Sequence, residues 1–329
     1  MPKSRFGKCE LPVAAGLFML SPQSPLRFEQ LPMGMGKRAG AVFDIKHVNQ
    51  WLGKSERRSD WLAAAPAAAL ASLLGRAGPP PELGDALPPL WHWLYFNRMA
   101  QPEALGADGH PRRGGFLPPV ELPRRMWAGS RVEWLQPLRL GEAASRYSRI
   151  VAIRDKSGRS GPLLFLTLRH EISGENGLAL VEEQDLVYCR PPAADQAAAP
   201  PPAPIPATPW RRALRADDAL LFGYSALTLN SHRIHYNRDY ATGCEGYPGL
   251  VVQGPLLATL LLELCGQRAP GFRPGGFRFR ALRPLFENSE ITLGGLPDPA
   301  DRHVALWAWN AAGQPAMEAG LQWAPDGGI

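Results

Sequence analysis

Two histidines with chemically active neighbours occupy one short stretch in the last third of the chain. His232 and His235 stand three positions apart, between the amide of Asn230 and the hydroxyl of Tyr236. Because imidazole changes charge near neutral pH, it can serve as a general acid or base. A lone histidine is more often structural than catalytic, so both interpretations stay open on this stretch alone.

A second stretch adds a group that can bind developing negative charge. Gly254 and Pro255 precede an apolar run, and proline suits the first turn of a helix. The free N–H groups and the positive end of the helix dipole can polarise a carbonyl oxygen at such a start. A histidine with a helix-terminal oxyanion site is what enolate chemistry on a thioester requires. The alternative is an ordinary strand-to-helix turn whose glycine supplies backbone freedom.

These residues need a scaffold, and hydrophobic patterning predicts one of the α+β class. Apolar residues recur at helical spacing within residues 44–52, 61–74 and 255–265. Aromatic residues and prolines at 87–96 indicate either a rigid loop or edge strand lining a pocket, or simple core packing. Alternating segments separated by turn residues predict antiparallel strands at residues 126–135, 144–155, 162–172, 179–188, 277–285, 290–294, 304–309 and 316–323.

Composition divides the chain into four segments. Residues 1–40 are predicted to be a disordered or over-extended N-terminal segment, because Met33 and Met35 stand just before the first folded pattern. Residues 191–208 are rich in Ala and Pro, which predicts an extended linker. We therefore expect one α+β domain at residues 41–190 and a second, catalytic one at residues 209–329.

Charge and cysteine content argue against several classes of protein. The 329 residues carry a net charge of +6 without a Lys/Arg run interleaved with aromatics, so no nucleic-acid partner is expected. No apolar run reaches the roughly 18 residues of a membrane helix, so no membrane partner is expected either. The 4 cysteines form no CxxC pair, which indicates neither a zinc site nor disulfides and predicts a cytoplasmic location.

The two chemical stretches together resemble the MaoC-like hydratases of the hot-dog fold. That family carries Asp-x-Asn-Pro-x-His and a later His-Gly at its central helix, matched here by residues 230–235 and 253–254. The match is closer to a subgroup of itaconyl-CoA hydratases, mesaconyl-C4-CoA hydratases and type 2 hydroxyacyl-thioester dehydratases. Its Ser-Ala-x-Thr-x-Asn-x-His-Arg-Ile-His-Tyr and Glu-Gly-Tyr-Pro-Gly-Leu-Val-Val-x-Gly-Pro-Leu blocks stand at residues 225–236 and 245–256. Further segments that resemble the first half of the subgroup are residues 90–96, 113–119 and 123–129.

The resemblance implies a double hot-dog, in which two long helices are each wrapped by an antiparallel sheet. His235 matches the family's catalytic histidine, and Gly254 matches the glycine whose N–H helps to form the oxyanion hole. Asn230 occupies the place of the family's aspartate, and an amide cannot act as a general base. We expect Asn230 to hold water or the thioester, and His232 to orient groups or share the proton.

The resemblance also implies a hydro-lyase that adds water to an acyl-CoA thioester without a metal or a further cofactor. Itaconyl-CoA or mesaconyl-C4-CoA, converted to citramalyl-CoA in itaconate degradation, is the predicted substrate, and a homodimer is expected. A 3-hydroxyacyl-thioester dehydratase of fatty-acid synthesis and a non-catalytic acyl-thioester binding subunit remain as alternatives. Five residues are predicted to contact the substrate: Tyr224, Arg233, Tyr236, Arg280 and Arg283. The three arginines are candidates to bind the free carboxylate, and a surface position or a contact to a coenzyme A phosphate stays equally open for each of them.

Overall fold

The computed structural model of the chain describes residues 43–158, 161–190, 204–298 and 300–324. The predicted N-terminal segment therefore lies outside the described residues, as does most of the predicted linker. The helices and strands, in chain order, are α1 (Ile45–Val48), β1 (Ser55–Trp61), α2 (Ala64–Leu73), β2 (Arg124–Trp134), β3 (Ala143–Gly158), β4 (Gly161–Gly174), β5 (Gly177–Cys189), β6 (Trp210–Arg215), α3 (Asp218–Leu227), α4 (Gly254–Arg268), β7 (Pro274–Ala281), β8 (Glu290–Asp298), β9 (His303–Asn310) and β10 (Pro315–Trp323).

Ten strands form one antiparallel sheet in the order β1-β3-β4-β5-β2-β7-β10-β9-β8-β6. Read from the outer edge of the sheet inward, the first half (residues 43–190) has the order β1-β3-β4-β5-β2. The second half (residues 204–324) has the equivalent order β6-β8-β9-β10-β7. The halves meet where β2 pairs with β7, with Gly129 opposite Arg280. A Cβ at Gly129 would lie 2.3 Å from the carbonyl oxygen of Phe279, so only glycine permits this approach.

Helix α4 is the central helix of the second half. Its buried residues lie on every side of the helix, because the sheet wraps around it. Truncating one of its leucines to alanine is expected to cost about 2–5 kcal/mol of stability. The Gln253 side chain donates hydrogen bonds to Leu221 O and Ser225 Oγ of α3, each 2.9 Å long, which anchors the start of α4. Among the described residues no helix is long and apolar enough to cross a membrane.

The first half holds a shorter helix where a long one was expected. Helix α2 has 10 residues and ends at Leu73, before Gly75 with its φ of +63°. The prolines at 79–81 and 88–89 then prevent a helix from continuing. The segment at residues 87–96, for which a rigid loop, an edge strand and core packing were all open, contains a buried 3₁₀ turn, Trp91–Leu94, flanked by Leu90 and Phe96 at positive φ. Its burial agrees with the core-packing alternative.

Three elements were not predicted from the sequence. Strands β1 and β6 lie at the two edges of the sheet, where each pairs with a single neighbour. Polar side chains stand on both faces of these strands, so the apolar alternation of a half-buried strand is weak. Helix α3 lies in a region for which no element was predicted, and Asp217 caps it by accepting a hydrogen bond from Leu220 N at 2.8 Å.

Candidate active site

A cavity of about 550 Å³ has walls from both halves of the chain. It lies at the first turn of α4 and at the segment that precedes it. The four residues predicted to be catalytic all line this cavity, and so do two of the five predicted substrate contacts. The six are Asn230, His232, His235, Gly254, Tyr224 and Arg283.

Three predicted substrate contacts do not line the cavity. Arg233 donates a hydrogen bond to a backbone carbonyl of the first half at 3.1 Å. Tyr236 is 44% exposed, and its hydroxyl donates to Ser231 O. Arg280 pairs with Glu318 at 3.0 Å on the exposed face of β7. Because successive side chains of a strand point to opposite faces, its buried neighbour Phe279 points to the core instead.

The ring of His235 is held in one tautomer. Its Nδ1 lies 2.7 Å from the carbonyl oxygen of Val251, which can only accept, so Nδ1 carries the hydrogen and Nε2 keeps a lone pair. The backbone N–H of Val251 in turn donates to Ile234 O at 2.9 Å. Burial lowers the pKa of His235 to about 4, against the opposing effect of the Val251 hydrogen bond. The imidazole is therefore neutral at pH 7, as a general base must be.

Asn230 and His232 are held by the backbone of the same segment. The Oδ1 of Asn230 accepts a hydrogen bond from the backbone N–H of His232 at 3.2 Å, and Leu229 before it adopts a φ of +49°. The ring of His232 stands edge-on to that of His235, with centroids 5.4 Å apart. Burial, followed by the neighbouring His110 and His235, lowers the pKa of His232 to about 2. His232 is thus a second neutral imidazole in the cavity.

Gly254 begins α4 with no side chain toward the cavity. The first-turn N–H groups of a helix have no intrahelical acceptor and carry its positive dipole end. A Cβ placed on Gly254 would meet only the carbonyl oxygen of Trp127, at 3.9 Å, so the surrounding protein leaves room for a side chain there. The open space suits a thioester oxygen that accepts hydrogen bonds from this helix start.

The structure adds two titratable residues to the candidate site that the sequence did not indicate. Asp108 and His110 lie on a loop of the first half, and the His110 ring is 4.2 Å from the His232 ring, centroid to centroid. The Nδ1 of His110 lies 3.2 Å from Asp108 Oδ2. Burial first, then the charge of Arg125, lowers the pKa of His110 to about 4. No local pattern marks this loop, because its chemistry depends on a contact with a distant segment.

Asp108, His110 and His232 could also present ligand atoms to a metal ion, since one atom from each lies within 4.8 Å of the others. However, Asp108 is already engaged with His110 through both carboxylate oxygens, one with the ring and one with the backbone N–H. Burial raises the pKa of Asp108, but these hydrogen bonds outweigh it and hold the pKa well below its usual range. The contacts therefore describe an ionised aspartate that orients a histidine.

Charged residues of the first half also line the cavity. Arg125 interacts with Tyr188 and forms no ion pair with a carboxylate among the described residues, and its charge helps to lower the pKa values of His110 and His232. Glu182 is only 3% exposed and accepts hydrogen bonds from Trp93 Nε1 at 3.0 Å and Ser130 Oγ at 2.7 Å. Although burial raises the Glu182 pKa, the hydrogen bond and charge of His92, whose Nε2 lies 3.1 Å from Glu182 Oε2, followed by His170 and Ser130, lower it to about 2. Neither residue belongs to a segment that sequence reasoning assigned to the site.

Sequence comparison identifies relatives that span both halves of the chain. A family described as hydroxyacyl-thioester dehydratase type 2 matches residues 90–287, a range that contains both the Asp108 loop and the His235 segment. The mesaconyl-C(4)-CoA hydratase of Chloroflexus aurantiacus is 44% identical over 277 residues, which cover 83% of this chain and 96% of the relative. The match thus includes residues of both halves that line the cavity.

Solved structures share the fold. A MaoC-like dehydratase from Phytophthora capsici aligns with a TM-score of 0.61 at 13% identity, covering 87% of this chain and 100% of that one. A Mycobacterium tuberculosis protein with a double hot-dog fold aligns with a TM-score of 0.50 at 14% identity, covering 83% and 96%. These similarities confirm the predicted double hot-dog fold.

Proposed function

Because the chain belongs to the hydroxyacyl-thioester dehydratase type 2 family of MaoC-like hot-dog proteins, we propose that it hydrates an unsaturated, branched dicarboxyl-CoA thioester. The enzyme is a hydro-lyase acting on acyl-CoA thioesters. The proposed finer specificity is mesaconyl-C4-CoA, and with it itaconyl-CoA, giving citramalyl-CoA in itaconate degradation. The observation that carries the proposal is one cavity holding the Nε2 lone pair of His235 and the open N-terminus of α4 at Gly254.

The reaction follows from these two groups. The thioester oxygen accepts hydrogen bonds at Gly254, and His235 Nε2 takes one proton from water while the water oxygen bonds to the β carbon. The π electrons of the double bond move to the thioester oxygen as an enolate. When the enolate collapses, its α carbon takes the proton from the His235 imidazolium, and the carbonyl re-forms. Mesaconyl-C4-CoA fits this sequence because its double bond is conjugated with the thioester.

Asn230 and His232 position the reactants and do not carry the transferred proton. The Oδ1 of Asn230 is engaged with the backbone of His232, which leaves the amide N–H₂ to hold water or the thioester oxygen. The His232 ring, edge-on to His235, limits the directions from which water can approach. These roles replace the general-base role that an aspartate at position 230 would have had.

The free carboxylate of the acyl group requires a cation close to the β carbon. We assign this role to Arg125, because it lines the cavity beside His110 and His232 and forms no ion pair among the described residues. Arg283 also lines the cavity, but its guanidinium donates to Pro315 O at 2.7 Å. It is therefore the weaker candidate of the two.

The family description also supports a dehydratase of straight-chain 3-hydroxyacyl thioesters, whose acyl chain would occupy apolar wall residues such as Leu168 and Leu186. Purified enzyme should be assayed with mesaconyl-C4-CoA, itaconyl-CoA and crotonyl-CoA, with product followed by mass spectrometry. Turnover of the dicarboxyl esters supports the proposal, whereas turnover of crotonyl-CoA alone supports the straight-chain alternative. Binding of all three without turnover would favour a non-catalytic binding subunit.

Arg125→Gln tests the substrate class independently, with Arg283→Gln as its comparison. We expect Arg125→Gln to abolish most mesaconyl-C4-CoA turnover while crotonyl-CoA turnover stays within a few-fold of the wild type. Equal loss of both activities would show that Arg125 serves the coenzyme or the fold instead. The homodimer, the cytoplasmic location and the absence of a cofactor stay predictions.

A further inference from the structure

A loop of the first half is tightly bound to the catalytic segment of the second. The backbone N–H of Arg233 donates to Asp108 O at 2.8 Å, and Ser231 Oγ donates to Gly109 O at 2.5 Å. At Gly109 a Cβ would lie 2.0 Å from the carbonyl oxygen of Ser231, and φ is +85°, so a glycine is required. These contacts hold His110 at a defined place against the histidines of the second half.

The loop brings a carboxylate behind an imidazole that faces the cavity. Asp108 Oδ1 accepts from the backbone N–H of His110 at 3.0 Å, and Oδ2 lies 3.2 Å from its Nδ1. Since the ionised carboxylate can only accept, Nδ1 carries the hydrogen and His110 Nε2 keeps a lone pair. His110 and His235 therefore have the same tautomer, and both line the cavity.

We propose that Asp108 and His110 supply the carboxylate and the second water-binding group that the catalytic segment lacks because position 230 is an asparagine. The inference rests on the proposed hydration reaction and deepens it. His110 Nε2 accepts a hydrogen bond from one proton of the water, while His235 Nε2 accepts from the other. With both protons held, the lone pairs of the water oxygen are directed at the β carbon.

The carboxylate has a second role once the reaction begins. When His235 takes the water proton, a positive charge develops in a cluster that already faces the guanidinium groups of Arg125 and Arg113. Asp108 lowers this cost through His110, because its carboxylate accepts the Nδ1 hydrogen of that ring and its negative charge acts on it directly. The proton then returns from His235 to the α carbon, so Asp108 and His110 are unchanged at the end of the cycle.

Asp108→Asn isolates the charge from the fold. The asparagine Oδ1 still accepts the His110 backbone hydrogen bond, so the turn is preserved while the charge and the Nδ1–H acceptor are lost. We expect kcat to fall about 100-fold with little change in KM, and the acid limb of the pH–rate profile to move to lower pH. Asp85→Asn is the matched control, because Asp85 caps an exposed turn by accepting from Glu82 N at 2.9 Å.

His110→Gln completes a double-mutant cycle. If Asp108 acts through His110, the double variant should be no slower than His110→Gln alone. Wild-type kcat and an unchanged pH profile in Asp108→Asn would refute the proposal, as would full additivity of the two losses. Thermal unfolding of each variant establishes that it is folded, and Asp108→Glu should recover part of the lost rate.

The inference and the proposed function can fail separately. The double-mutant cycle is measured with whichever CoA ester the wild-type enzyme converts. The test of Asp108 and His110 therefore stays valid even if the enzyme does not use dicarboxyl esters. Nitrogen NMR of the histidine rings needs no substrate and reports the tautomer directly. We expect the Nδ1–H tautomer of His110 in the wild type and a shift toward Nε2–H in Asp108→Asn; an Nε2–H tautomer in the wild type would overturn the Asp108–His110 pairing.

Discussion

The imidazole of His235 donates its Nδ1 hydrogen to the carbonyl oxygen of Val251, 2.7 Å away. The two residues belong to the two sequence blocks at residues 225–236 and 245–256, and the backbone of Val251 also bonds to Ile234. The second block therefore sets the tautomer of the histidine in the first. The second block also continues directly into the N-terminus of α4. The backbone from Val251 to Gly254 therefore both orients the His235 ring and forms the oxyanion site.

Replacing His235 with Ala should lower kcat by about 10²–10⁴-fold, because the group that accepts the water proton is lost. His232→Gln should cause a smaller loss if His232 only positions water. Steady-state kinetics on the converted CoA ester measures both, and the exposed His47→Ala is the control. A His235→Ala enzyme with wild-type kcat would exclude His235 as the base.

Gly254→Ala should reduce kcat about 100-fold without destabilising the fold. The added methyl meets no protein atom closer than 3.9 Å, but it occupies the space where the thioester oxygen accepts its hydrogen bonds. Kinetics together with a thermal melt tests this, since we expect an unchanged melting temperature. An equally active variant would place the thioester elsewhere in the cavity.

Gly109→Ala should behave in the opposite way and lower both stability and activity. Its Cβ would lie 2.0 Å from a backbone oxygen, and its φ of +85° disfavours any side chain. The loop that carries Asp108 and His110 must then move away from Ser231. A lower melting temperature with a parallel loss of kcat is the expected result, and normal values for both would contradict the docking of this loop.

Stability should fall as the pH drops from about 6.5 toward about 4. His110, His170 and His235 have pKa values lowered to about 4, chiefly by burial, so the unfolded chain binds their protons at a higher pH than the folded chain does. Each such histidine contributes a slope of at most about 1.4 kcal/mol per pH unit within this window. Denaturant unfolding at pH 7.5, 6 and 5 measures the slope, and His110→Gln should reduce it. A flat profile would show that these histidines titrate normally.

Treatment with a chelator should leave the activity unchanged, because the proposed reaction uses the lone pairs of His110 and His235 and no metal. Added Zn²⁺ should instead inhibit, since it would bind Asp108, His110 and His232 and remove the water-binding imidazole. Activity after dialysis against EDTA, with and without added zinc, is the measurement. A loss restored by metal would assign this cluster a catalytic ion.

Local pattern determined a large part of the architecture. The strands β2 to β5 and β7 to β10 and helix α4 follow from apolar periodicity and turn residues, because each buries one face or a whole surface in the core. The four predicted catalytic residues also lie at the cavity, since their spacing is set within one short segment and one helix start. The edge strands β1 and β6 escaped prediction because little of their surface is buried.

The tertiary structure alone decided which distant groups meet. Arg280 was expected at the substrate but faces solvent, since the alternation of strand β7 turns it away from the core. His110 and Arg125 reach the cavity, with Asp108 bonded to His110, only because the two halves pack along β2 and β7. The sequence shows that position 230 has no carboxylate, because Asn230 stands there. The sequence does not show that Asp108 takes its place, because any loop that the fold brings to the histidines could supply a carboxylate.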